Sequence, residues 1–122
     1  MKIRLGLIAL IASLLCTAAA NATTLRVVVV QASDITAYVT ALENGKGLLK
    51  SKGSVGQIRV WLARYAGENT GSIVVSVEYP SLEALAKDDA LMRHDADLRA
   101  WLQGLGKIRK IVSDSIYEEL TP

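Results

Sequence analysis

One cysteine, one histidine and two prolines stand in 122 residues, and each scarcity closes off a class of function. The cysteine, Cys16, falls in an N-terminal stretch that reads as a cleaved leader. Without it the chain has no disulfide, no thiolate metal ligand and no cysteine nucleophile, even in an oxidising compartment. With His94 as the sole histidine there is no HxxxH, HExxH or CxxC spacing, so no metal site is expected. No Ser–His–Asp set, G-x-S-x-G elbow, phosphate-binding loop or dinucleotide fingerprint appears either, and no cofactor is expected. Nor does any repeat, low-complexity tract or Pro/Ser-rich linker divide residues 23–122, a length that suits one domain with one core.

The leader carries its own signals. Lys2 and Arg4 form a charged start, Leu5–Leu15 is an uncharged apolar run, and Ala20-Asn21-Ala22 is an A-x-A cleavage pattern. The run is too short for a bilayer, which needs about 20 residues. A lipoprotein signal has a small residue before its cysteine, whereas here it is Leu15. The expectation is cleavage after Ala22, no stable membrane anchor, and a periplasmic or secreted product. Lys2 and Arg4 leave with the leader, so the 14 basic residues become 12 against 12 acidic ones. A balanced domain has no electrostatic case for nucleic acid or anionic lipid.

What remains is rich in short apolar elements. Leu25–Gln31 is dominated by β-branched residues and reads as a central strand buried on both faces. Asp34 can cap a helix with apolar positions Ile35, Tyr38, Val39 and Leu42. Gly45 and Gly47 each cost about 1 kcal/mol in a helix interior, so a break near Asn44-Gly45 is expected, with Gly53 and Gly56 ending the element. Strands follow over Gln57–Tyr65 and Ser72–Tyr79, joined by the polar loop Ala66–Gly71. Pro80 stops the second of them, and Ser81 caps a helix with Leu82, Leu85 and Ala86 as its stripe. His94-Asp95 marks a kink or second start, with Leu98, Trp101, Leu102 and Leu105 forming the next stripe. Ile108–Glu118 is the last strand. The order is βαββαβ, an α+β ferredoxin-like domain with helices on one face of a four-stranded antiparallel sheet.

Alternation assigns the faces. Ile73, Val75, Val77 and Tyr79 share a side with Ile58, Val60 and Leu62, and with Leu25, Val27 and Val29 of the first strand; this apolar side should carry the helices. The opposite side holds Arg59, Trp61, Tyr65 and Glu78, with Arg26, Val28 and Val30. So apolar a face is not left in water, and a second copy packed against it makes a homodimer.

At VWLARYAG, GSIVVSVEYPSLEALA, DLRAWLQGL and SDSIYEEL the chain resembles the dimeric α/β-barrel superfamily, whose relatives include antibiotic-biosynthesis-monooxygenase-like and NIPSNAP-like domains. The resemblance covers nearly all of residues 23–122 and implies a fold rather than a reaction, because relatives range from cofactor-independent oxygenases to haem-degrading enzymes and domains without known activity. The haem-degrading relatives resemble an Asn–Trp–His arrangement with Asn on the first strand. Here LRVVVVQ has no Asn.

Arg59, Trp61, Tyr65 and Glu78 are the candidate ligand-binding residues, expected together between the two sheets of a dimer. Tyr could hold or donate a proton there, and Trp could stack on an aromatic substrate. The plainer alternative is an Arg59–Glu78 cross-strand pair with Trp61 and Tyr65 filling a dimer core. His94, beside Asp95 and Asp97, is a candidate base or a structural residue at a helix junction. Arg93, Arg99, Lys107, Arg109 and Lys110, offset by Asp88, Asp89, Asp95, Asp97 and Asp114, read as an ordinary solvated face. The functional expectation is a homodimer that binds a small, partly apolar molecule between its sheets or serves as an interaction module. The alternative is a cofactor-independent monooxygenase or related enzyme using Tyr65, Trp61, Arg59 or His94.

Overall fold

The computed structural model describes residues 22–121; the expected leader, apart from Ala22, lies outside the described residues. Four strands, β1 (Thr24–Gln31), β2 (Gln57–Leu62), β3 (Ile73–Tyr79) and β4 (Lys110–Glu118), form one antiparallel sheet in the order β2-β3-β1-β4. Three helices, α1 (Ile35–Ser51), α2 (Leu82–His94) and α3 (Ala96–Gly106), complete the α+β ferredoxin-like arrangement. β1 and β3 are central, the place expected for the β-branched run of LRVVVVQ.

Each helix starts on a side-chain cap. Asp34 accepts from Ala37 N at 3.0 Å, Ser81 from Ala84 N at 3.1 Å, and Asp95 from Leu98 N at 3.1 Å. These satisfy amides that the first turn otherwise leaves without partners. The junction expected at His94-Asp95 is real: Asp95 is extended, closes α2 and opens α3. Lys52, just past α1, bridges to Asp95 at 3.1 Å and Asp97 at 3.0 Å, pinning that junction against the end of α1.

Three expectations need correction. α1 runs unbroken through Asn44-Gly45. Gly45 is buried because the Trp101 indole lies on it, and a Cβ there would overlap the ring. Trp101 Nε1 also donates to Ala41 O at 2.9 Å, so the glycine admits a contact that outweighs its weak helix propensity. β2 ends at Leu62 rather than Tyr65, because the chain turns early: Ala63 N bonds Ser72 O, Gly71 N bonds Ala63 O, and Gly67–Asn69 forms a single 3-10 turn.

The third correction concerns β1. Val28 pairs with Val75 and Val30 with Ile73, which places Arg26, Val28 and Val30 on the helix side. Leu25, Val27 and Val29 therefore face the open side, the reverse of the expected assignment. Both sets of β1 residues are apolar apart from Arg26, so alternation alone could not choose between them. Val30, Tyr38, Leu42, Ile73, Val75 and Leu105 form the core between sheet and helices. Burying side chains of this size stabilises by about 1.5–3 kcal/mol each.

Candidate functional site

The helix side of the sheet does not close completely over the core. A cavity of about 180 Å³ remains, with Val28, Ile58, Val75 and Val77 as its floor and α1 and α3 supplying Leu42, Leu49, Leu102 and Leu105. Trp101 and Tyr79 add aromatic surface. One end is charged, with Arg26 from β1, Asp114 from β4 and Asp88, Asp89 and Arg93 from α2, and the neutral hydroxyl of Ser54 joins them from the loop after α1.

The register explains the central pair. Asp114 stands opposite Val28, on the same side of the sheet as Arg26 two residues earlier in β1. Arg26 Nε donates to Asp114 Oδ1 at 3.0 Å and Nη2 to Oδ2 at 2.7 Å, a bidentate fork. Its Nη1 approaches Asp89 Oδ1 at 3.5 Å, and Arg93 Nη2 reaches Asp89 Oδ2 at 3.2 Å. The fork raises the Arg26 pKa and holds the Asp114 carboxyl below the ordinary aspartate range.

Asp88 sits deeper, only 5% exposed. Ser54 Oγ donates to its Oδ2 at 2.5 Å and accepts from Gly56 N at 3.3 Å, so the loop after α1 is tied to α2 through this carboxylate. Tyr79 is equally buried; burial first, and then the neighbouring Asp88 charge, push its phenol pKa up. At neutral pH it is a neutral hydroxyl, a donor rather than a base.

The expected site residues lie elsewhere. Arg59, Trp61 and Glu78 do share a face, the open one, where they line a more open groove of about 360 Å³ with Leu25, Val27 and Ser76. Trp61 Nε1 donates to Ser76 Oγ at 2.8 Å. No ion pair joins Arg59 to Glu78 among the described residues; Arg59 faces Ser76, and Glu78 faces Gln57. Tyr65 is outside the group, fully exposed in the loop beyond β2. His94 is the exposed last residue of α2.

Of the residues expected on a solvated face, Asp88, Asp89, Arg93, Arg109 and Asp114 line the cavity, and Asp88 is buried while Asp114 and Arg93 stay exposed at its rim. A signal was present. Leu85, Asp88 and Met92 recur at helical spacing, so the buried stripe of α2 runs through an aspartate. Arg26 left no such trace, because its side of β1 was decided by pairing.

An α+β ferredoxin-like sheet with a lined cavity under its helices defines the class. Solved structures of NIPSNAP and antibiotic-biosynthesis-monooxygenase-like proteins share this fold. A NIPSNAP family protein from Agrobacterium tumefaciens superposes with TM-score 0.60 at 12% identity, over 82% of this chain and 93% of that one. SnoaB, a cofactor-independent oxygenase from Streptomyces nogalater, gives 0.59 at 10% identity, covering 82% and 95%. An antibiotic-biosynthesis-monooxygenase-like protein from Bordetella bronchiseptica gives 0.56 at 10% identity, covering 83% and 98%. No family model and no curated protein matches the sequence. At these identities the likeness is one of fold.

Proposed function

We propose that the protein is an exported homodimer that binds a small, partly apolar molecule in the cavity between its sheet and its helices. The carrying observation is the cavity, an apolar chamber with one charged end. Its size selects the occupant. A dry aliphatic cavity of about 150 Å³ takes benzene, whereas drug-sized ligands need about 300–1,000 Å³. At about 180 Å³ the cavity suits a single ring or a short branched chain. This moves the ligand from the space between two sheets to the other side of the sheet.

Dimerisation rests on the open face. Leu25, Val27 and Val74 lie there, together with Trp61 at 51% exposure and Tyr117 at 58%. A second copy offering the same face covers these side chains in an isologous contact, and Arg59, Glu78 and Gln57 then sit in or around it. Export is supported by the leader pattern over Met1–Ala22. An oxygenase working through Trp61 or Arg59 would place its chemistry on this open face, at the dimer contact, with Tyr65 outside it in the loop beyond β2.

The protein has two tryptophans, one on each side of the sheet, and they make the test. Toluene should change the fluorescence of the wild type and of Trp61→Phe, while Trp101→Phe loses the response. A response that disappears in Trp61→Phe instead puts binding on the open face and refutes the cavity.

A further inference from the structure

Asp88 is a buried carboxylate without a cation. Its neighbours on the protein side are two hydroxyl groups, Ser54 from the loop after α1 and Tyr79 from β3. Among the described residues, no Lys, Arg or His forms an ion pair with it. Of the arginines lining the cavity, Arg26 forks onto Asp114 and leans on Asp89, and Arg93 also holds Asp89. Arg109 donates from Nη1 to Tyr38 Oη at 3.1 Å, while its buried Nε has no partner among the described residues; none of the three is paired with Asp88. A buried carboxylate is costly unless an opposite charge joins it, and this one borders the cavity.

The rest of the chamber defines what could bring that charge. Leu49, Val77, Met92 and Leu102 offer apolar surface, and Trp101 and Tyr79 add aromatic surface, a favourable lining for an organic cation. A metal ion fits poorly, since no group of three or more His, Cys, Asp or Glu side chains gathers among the described residues. Resting on the cavity being the binding site, we propose that its ligand is a small organic cation, a protonated amine on a single-ring or short aliphatic body, with the ammonium paired to Asp88.

Calorimetric titration of the protein with benzylamine, toluene and benzoate at neutral pH tests this. Benzylamine should bind most tightly of the three. Asp88→Asn, which keeps the shape of the side chain, should weaken benzylamine by about tenfold or more and leave toluene unchanged. A second arm needs no variant. Raising the pH through the amine's own pKa should bring wild-type affinity for benzylamine down to that for toluene. Tyr79 stays protonated over that range because its pKa is raised, so the protein's own groups around Asp88 do not change. Equal binding of toluene and benzylamine, benzylamine affinity that survives Asp88→Asn, or tightest binding of benzoate overturns the amine and leaves the cavity reading standing. Failure of all three probes overturns both.

Discussion

Arg26 places a guanidinium on the interior side of a central strand, and the cost of doing so is offset by the Asp114 fork and by Asp89. Asp114 is held below its usual pKa by Arg26, so its contribution is present above the unfolded aspartate value of about 3.9 and lost as pH falls through the lowered one. Urea midpoints for the wild type should therefore drop as the pH is lowered from about 5 past the unfolded aspartate value. Asp114→Asn should start less stable at pH 7 and show a shallower drop; an unchanged slope contradicts the role given to the pair. None of this was legible in the sequence. Arg26 and Asp114 are 88 positions apart and meet only through the β1–β4 register. Asp88 was partly legible, because it continues the Leu85 stripe, but an aspartate beside a second aspartate in a charged helix reads as solvated.

At the scale of elements, caps and turns were readable because they depend on neighbours in sequence. Asp34 and Ser81 cap where the pattern put them, and the second start expected at His94-Asp95 turns out to be capped by Asp95. Replacing Ser81 with Ala should cost about 1 kcal/mol in chemical denaturation, the usual value of an N-cap hydroxyl. Gly45 shows the opposite case, a local signal overruled by a distant partner. Ala at position 45 would gain about 1 kcal/mol of helix propensity, yet it must displace the Trp101 ring, and overpacking of that kind costs about 1–3 kcal/mol. Gly45→Ala should therefore destabilise, and a stabilised variant would show that the indole moves away freely. β1 was misassigned for a related reason: with apolar residues on both sides, its facing is fixed by Val75 and Ile73 across the ladder, not by its own alternation.

The whole molecule presents two distinct sides, an open sheet face and a covered one with a cavity beneath the helices. The open face leads to a prediction about assembly. Light scattering should report a dimer, and Val27→Lys, a charge set in the middle of that face, should give a folded monomer; a monomeric wild type contradicts the interface. The central claim is that a small molecule enters on the helix side, and methyl NMR reads both sides at once. Titrating methyl-labelled protein with toluene should produce saturable shifts at Val28, Leu42, Val75, Leu102 and Leu105, the cavity wall, with Leu25, Val27 and Val74 unmoved. Shifts confined to Leu25, Val27 and Val74, or no saturable shift at any methyl, would contradict it.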